Sequence, residues 1–407
     1  MSQQLISLSP DLQRLRDDGF DLEIKSGYLL VKNVPYVNSR KEVSFGTLVS
    51  ELTMAGNITT KTGTHVALFA GEHPCHKSGA LISQIAHQST TQTLAPEVTI
   101  NHSFSTKPKV GYYLNYHEKI TTYFAIISAP ARSLDPTLKI PKPIVMVSSN
   151  EESVFHYIDS ASTRAGTVMA NQKLELASVA IVGLGGTGSY ILDHLAKTPV
   201  KKIHLYDGDV YEQHSAFRAP GAASLEDLRK QLNKVDYYFA MYSKMRNGIV
   251  PHSVFLTDSN VQELSGFDFV FVCVDNGAAR KLILESLEKT DIPFIDVGMG
   301  LYFENGSIGG IVRTTNSVAE KRAEAAKFLP VSEPIEDAAY STNIQTSDLN
   351  ALNAAHAVIK WKKLLGFYHD FDNEISMSYT IDGNIINNEV ENESANANAQ
   401  VRRSNPR

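Results

Sequence analysis

The chain has 407 residues, 43% of them hydrophobic, which is about two domains at roughly 100 to 200 residues each and enough for ordinary buried cores. Its net charge of −6 supplies no long basic field to neutralise a phosphate backbone, which argues against nucleic acid as a partner. With two cysteines, Cys75 and Cys273, and no CxxC pair, a disulfide framework and a four-cysteine zinc site are excluded; no structural zinc is expected, and a reducing compartment is the natural reading.

The opening stretch "MSQQLISLSPDLQRLRDD" lacks a basic start followed by an apolar core, and no run of about 18 apolar residues follows anywhere. The expectation is a cytoplasmic protein with no membrane contact. Residues 1–150 read as short strands and turns, with "DLEIKSGYLLVKNVPYV" (21–37) and "THVALFAG" (64–71) as examples, and form an N-terminal accessory domain of α+β or mostly β type. In "GEHPCHKSG", His73 and His76 flank Cys75 and could lower the thiol pKa, which makes Cys75 a candidate thioester nucleophile. A metal site from His65, His73, Cys75 and His76 is a further reading, although its spacing matches no standard zinc pattern; an ordinary turn cysteine is the bland one. The aromatic "YYLNYHEKITTYF" (112–124) and basic "STKPK" read either as a protein-docking face or as an edge strand with a solvated loop. Three prolines in "SLDPTLKIPKP" (133–143) mark a boundary, and 151–171 reads as linker and lead-in helix.

From residue 172 to 385 near-continuous apolar strands alternate with helical segments: "LASVAIVG", "SYILDHLAKT", "KKIHLYD", "SLEDLRKQLNKVDYYFAMYSKM", "FDFVFVCVD", "AARKLILESLEKT", "IPFIDVG" and the closing helix "SDLNALNAAHAVIKWKKLLG". That alternation predicts an α/β, mostly parallel sheet with helices on both faces. Residues 386–407 are polar and Asn-rich and read as a disordered tail.

Gly183, Gly185 and Gly188 fit GxGxxG directly between an apolar strand and a helix, the context that gives this pattern its meaning. Unpaired N–H groups and the positive end of the helix dipole then invite phosphate. Asp207 ends the second strand, 24 residues after Gly183, and can accept from ribose hydroxyls. To this point a nicotinamide dinucleotide and ATP are both open. Arg218, in the loop after Asp207, suits phosphate oxygens, and Lys234 can add a point charge, although each alone also reads as a solvated surface charge. Asp275, at the carboxyl end of an apolar strand, suits Mg²⁺ beside a triphosphate. Cations directed at phosphate and a magnesium-type carboxylate are tools of phosphoryl or adenylyl chemistry, and hydride transfer needs neither. Cys273, two residues before Asp275, reads as a small buried hydrophobe.

Over roughly 172–370 the sequence resembles the ThiF-type family of adenylyltransferases that activate ubiquitin-like and sulfur-carrier proteins. The resemblance rests on "GLGGTGS", "DGD" (207–209), "HSAFR", "NKV" and "CVDN", which stand in that family's order. It implies a Rossmann-like ThiF-type fold in which Gly183, Gly185, Gly186 and Gly188 line the ATP phosphates. Asp207 would hold the ribose, with Asp209 beside it; Arg218 and Lys234 would neutralise charge at the α-phosphate, and Asp275 would bind Mg²⁺. The implied reaction is adenylation of the C-terminal carboxylate of a ubiquitin-like protein. It also implies a homodimer, with Arg164 as the candidate arginine reaching a neighbouring nucleotide, and a conjugating-enzyme-like partner. Ser215 stands where the family usually has asparagine, and the crossover segment 314–342 carries no cysteine, so the enzyme would stop at the adenylate, hand it on, or use Ser332, Ser341 or Thr342 for an oxyester. Loss of that cysteine also motivates an alternative, a catalytically weak ThiF-like scaffold. Residues 1–150 resemble an uncharacterised module preceding ThiF-type domains in bacterial proteins, through "GEHPC", "HSFSTKP" and "YYLNYHEKITTY".

Overall fold

The structure is a computed structural model that describes residues 2–138, 153–329 and 344–390. It divides into two compact units, Met1–Gln172 and Lys173–Arg407. Among the described residues no helix is long and apolar enough to cross a membrane.

The first unit starts with helices α1 (Ser2–Leu8) and α2 (Pro10–Asp17), the latter with Pro10 at its first position where no N–H is required. Strands β1 (Asp21–Lys25), β2 (Tyr28–Val37), β3 (Val43–Glu51), the small pair β4 (Met54–Ala55) and β5 (Ile58–Thr59), β6 (Val66–Ala70), β7 (Ala86–Ala95) and β8 (Val98–Ser105) follow. Six of them form an antiparallel sheet in the order β1-β2-β3-β6-β8-β7. From Tyr116 on, the stretch read as a protein-docking face or as an edge strand with a solvated loop is instead helix α3 (Tyr116–Leu134), capped by Asn115, whose side chain accepts from the Glu118 amide. Tyr116, Ile120, Tyr123, Phe124 and Ile127 recur at helical spacing and bury against Leu29, Val31, Leu48, Phe69 and Phe104. Their aromatic content is core, not a docking face. Helices α4 (Ser160–Ala165) and α5 (Val168–Asn171) also belong to this unit, so 151–171 is not merely a lead-in to the second: Thr163 sits on the Ser26-Gly27 turn and Val168 packs on the sheet face of Tyr28, Leu30 and Leu94.

The second unit contains β9 (Ser178–Val182), α6 (Gly186–Leu195), β10 (Lys202–Tyr206), α7 (Gln213–Ala216), α8 (Leu225–Arg229), α9 (Lys234–Tyr242), β11 (Ile249–His252), β12 (Phe269–Val272) and α10 (Gly277–Leu287). It continues with β13 (Phe294–Glu304), β14 (Ser307–Ser317), α11 (Arg322–Ala325), α12 (Ser347–Leu364), β15 (Ser376–Thr380) and β16 (Ile385–Glu389). The sheet order is β11-β10-β9-β12-β13-β14-β15-β16; pairing is parallel from β11 to β13 and antiparallel beyond. Side-chain alternation on β9 shows why both faces are covered. Val179 and Ile181 enter a core with α6, α9 and α12, centred on the fully buried Trp361, while Ala180 and Val182 enter another with α10. Each large side chain so buried contributes roughly 1.5–3 kcal/mol relative to exposure. Asn305-Gly306, both at positive φ, close the long β13–β14 hairpin. The tail begins later than expected, because Ile385–Glu389 pairs with β15 as the edge strand.

Candidate functional site

Strand order reverses at β9, with β10 on one side and β12 on the other, and a crevice opens there beyond the carboxyl ends of the strands. A cleft of about 980 Å³ occupies that position, lined by the glycine turn, Asp207, Asp209, Arg218, Lys234 and Asp275. Residues far apart in sequence therefore meet in one place.

The glycine turn divides its labour. Gly183 has φ of +90° and passes so close to β12 that a Cβ would lie 2.7 Å from the Cys273 carbonyl. Gly185 caps the start of α6 and has open space in front of it. Gly186 lies under the side chain of Asn350 from α12, and Gly188 is packed against the turn itself, where a Cβ would lie 1.9 Å from the Gly183 carbonyl. Gly188 accordingly does not line the cleft, contrary to expectation; it permits the close approach of helix to strand. Thr187 lines the cleft instead and donates to Asn350 Oδ1 at 2.9 Å.

Asp207 is held by the Leu184 amide (2.7 Å) and the Asp209 amide (2.8 Å). Burial raises its carboxyl pKa, opposed by Lys234 and by these two amides. Lys234 is the first residue of α9, not the middle of one long helix: the expected helix 224–245 breaks where Gln231 takes φ of +45° and Val210 forms a β-bridge with Asn233. A lysine at a helix N-terminus opposes the dipole, and here its buried ammonium is tied to Asp209 (2.6 Å) and Asp207 (3.6 Å). Arg218 lines the same wall, its Nε buried and without a hydrogen-bond partner among the described residues. Ser215, one turn earlier, is also buried, with no hydrogen-bond partner for its hydroxyl among the described residues. Asp275 is exposed to the cleft just beyond β12, and Asn276 caps α10 by accepting from the Ala279 amide at 3.0 Å, which explains the acid-amide order of "CVDN". One exposed carboxylate at a cleft wall is a donor set that suits Mg²⁺, which takes one or two carboxylates and fills its shell with water and phosphate oxygens.

The cysteines read differently in place. Cys273 is half-buried and lines the cleft, its thiol pKa pushed up by burial and by Asp296, so it is no longer just a strand-interior hydrophobe. Cys75 is fully buried; its thiol donates to the His73 carbonyl at 3.3 Å, and burial and Glu72 raise its pKa. A raised, enclosed thiol is the opposite of an activated nucleophile. His73 stacks edge-on with His102 rather than activating Cys75, and among the described residues no three His, Cys, Asp or Glu side chains gather as a metal site. Arg164 is exposed on α4 in the first unit, where its charge acts on Glu51. Ser332, Ser341 and Thr342 lie outside the described residues.

Sequence reading missed several cleft residues: Arg280, on the first turn of α10, and Asn350 and Asn353 on α12. The asparagines had a signal, since they stand three apart on the apolar face of a helix, where a polar side chain needs a buried partner. Asn353 donates to the Gly298 carbonyl at 3.0 Å.

Residues 10–160 match a domain of unknown function, DUF6791, and residues 161–378 match the ThiF family. The Caenorhabditis elegans SUMO-activating enzyme subunit uba-2 is 23% identical over 35% of this chain and 24% of its own length. Ubiquitin-like modifier-activating enzyme 5 of Aedes aegypti is 28% identical over 37% and 40%, and adenylyltransferase and sulfurtransferase uba4 of Pyricularia oryzae 32% identical over 28% and 24%. The chain thus spans between a quarter and two fifths of the length of these relatives. Among solved structures, E. coli MccB aligns with a TM-score of 0.43 at 18% identity, over 55% of this chain and 64% of that one. With its glycine turn, strand order and cleft, and with the match covering more than half its length, the chain belongs to the ThiF family.

Proposed function

We propose that this protein adenylates the C-terminal carboxylate of a ubiquitin-like protein. The carboxylate oxygen attacks the α-phosphorus of ATP, the α–β phosphoanhydride bond breaks, and an acyl-adenylate and pyrophosphate form. The observation that carries the reading is convergence: a helix N-terminus, Asp207, Arg218, Lys234 and Asp275 line one cleft at the strand-order switch.

In this reading the amides opening α6 receive the phosphates, and Gly185 leaves room for them. Asp207, fixed by two amides, orients the ribose. Arg218 donates from the cleft wall, and Lys234 exchanges Asp209 for phosphate oxygens as charge builds. Asp275 would hold Mg²⁺, which would supply positive charge to offset that of the leaving pyrophosphate. Positioning and charge stabilisation supply the rate, because a carboxylate is already a competent nucleophile. The strands that bring Met299 and Leu301 into the cleft run outward to exposed Phe303 and Ile308, an apolar surface for the body of a small folded substrate. With Cys75 enclosed, the adenylate is the end point or passes to a partner such as a conjugating-enzyme-like protein. A cytoplasmic homodimer is part of the same proposal.

Exchange of labelled pyrophosphate into ATP, dependent on a ubiquitin-like protein, tests this reading. Asp275→Ala should abolish exchange, and Arg218→Ala should lower it roughly 10²–10³-fold. No exchange by the wild-type chain with any ubiquitin-like substrate, while it still binds that substrate, would leave the scaffold reading in its place.

A further inference from the structure

Asp296, on β13, is fully buried and faces two guanidinium groups. Arg280 Nε lies 3.4 Å from one of its oxygens and Arg313 Nη2 lies 2.6 Å from the other. A lone buried carboxylate is costly, and a carboxylate between two cations organises both of them.

The two arginines reach in different directions. Arg280, whose side chain borders the cleft, donates from Nη2 to the carbonyls of Val274 (2.5 Å) and Val297 (3.0 Å). Val274 immediately precedes Asp275, so this guanidinium pins the turn that presents the carboxylate. Arg313, on β14, crosses over Gly298, where a Cβ would come within 3.0 Å of its Nη2. Its Nη1 donates to Thr315 Oγ1 (2.6 Å) and to the Phe328 carbonyl (3.0 Å). Phe328 lies just beyond α11 in the segment that runs from β14 to α12, whose described first stretch (318–329) is the root of that crossover. One carboxylate thus anchors an arm on the Asp275 turn and an arm on the root of the crossover.

We propose that Asp296 is a positioning residue that couples these two places through separate arms, so that removing its charge loosens the Asp275 turn and the crossover root together. Arg280 transmits to the turn and Arg313 to the crossover. The functional side of the inference rests on the adenylation reading; the coupling itself does not.

Hydrogen–deuterium exchange on the full chain separates the two. In Asp296→Asn, exchange should rise at least severalfold both in peptides covering 273–279 and in peptides covering 322–329. In Arg280→Lys, which keeps a counter-charge for Asp296 but loses the fork over two carbonyls, it should rise in 273–279 alone. Uniform exchange change across the unit, or change in only one segment of Asp296→Asn, overturns the coupling. If Asp296→Asn does not fold, Arg280→Lys and Arg313→Lys carry the test, each expected to loosen only its own segment; loosening of neither overturns it. Mg²⁺ titration of ATP binding gives the functional readout: Arg280→Lys should need at least tenfold more Mg²⁺ for the same gain in affinity. A folded Arg280→Lys with wild-type Mg²⁺ dependence removes the link to Asp275, whereas absent pyrophosphate exchange in the wild-type chain removes only the adenylation reading.

Discussion

Two alanines three residues apart in the glycine turn should fail for different reasons. At Gly188 a Cβ would lie 1.9 Å from the Gly183 carbonyl, 3.0 Å from its carbon and 3.1 Å from Cys273 Cβ. The first two obstacles are backbone, so α6 must move away from β9. Overpacking of this kind costs about 1–3 kcal/mol, and with rigid backbone as the obstacle the upper part of that range applies. For a unit of this size each kcal/mol lowers Tm by roughly 2–4 °C, so Gly188→Ala should melt roughly 5–10 °C below wild type and lose ATP binding. At Gly185 nothing among the described residues stands within 4 Å of a Cβ and φ is −68°, so the fold has no reason to resist. Gly185→Ala should melt within about 2 °C of wild type yet bind ATP at least tenfold more weakly, because the methyl group occupies the space assigned to phosphate. Thermal melts by circular dichroism and ATP titration calorimetry on both variants decide the matter. Equal melting temperatures for the two, or full ATP affinity in Gly185→Ala, would refute the division of labour.

Three further outcomes follow from buried groups. Arg246 is 1% exposed and donates to the carbonyls of Thr198 and Val200, in the stretch after α6, and of the adjacent Asn247; Arg246→Met should cost about 3 kcal/mol in a denaturant melt while leaving ATP affinity in the cold unchanged. Lys119, fully buried in the first unit with its ammonium donating to Ser50 Oγ, has its pKa lowered by burial to about 8. Its folded value lies below its unfolded one, so the penalty for charging it is complete below pH 8 and relieved as pH rises from about 8 to 10.5; wild-type stability should gain on Lys119→Met by roughly 1 kcal/mol per pH unit across that window, read from paired denaturant melts. Neither thiol should react quickly with an aromatic disulfide reagent in the native protein, and Cys75 should become labelled only as the first unit unfolds; rapid stoichiometric labelling of Cys75 would reopen its candidacy as a nucleophile.

The second unit was largely legible because its signals are local and redundant. Parallel strands buried on both faces appear as apolar runs, and a glycine turn between strand and helix fixes where the crevice lies. Asp207 and Asp275 were readable for the same reason, each at or just beyond the end of a strand that could be placed, whereas Arg218 and Lys234 were readable only as cations in the stretch that follows Asp207. Failures came where tertiary contacts decide. The helix expected over 224–245 is broken by the Val210–Asn233 bridge, which no local propensity announces. Residues 116–134 carry β-branched and aromatic side chains that favour strands singly, yet their spacing of three and four and the Asn115 cap make a helix. Gly188 and Asn350 show the same limit from within the site, since whether a small or polar residue faces ligand or packs depends on what stands opposite it. Arg280 and Asp296 lie sixteen residues apart on different elements, and only the fold brings their charges within 3.4 Å.

The charge distribution of the cleft leads to a prediction with an unusual sign. Asp207, Asp209 and Asp275 bring three negative charges to its walls, and Lys234 is already committed to the first two. A triphosphate entering without metal brings its own negative charge beside the Asp275 carboxylate, and the two repel. Two unit charges about 5 Å apart at an effective dielectric of about 20 repel by about 3 kcal/mol, and because Asp275 is exposed, screening reduces the effect to about tenfold in affinity. Asp275→Ala should consequently bind ATP about tenfold more tightly than wild type in EDTA, lose the enhancement that Mg²⁺ gives the wild type, and catalyse no pyrophosphate exchange. Calorimetric titration with ATP, with and without Mg²⁺, measures both halves. If Asp275→Ala instead binds metal-free ATP more weakly, Asp275 is an acceptor for the nucleotide itself, and the assignment of Mg²⁺ to this carboxylate fails.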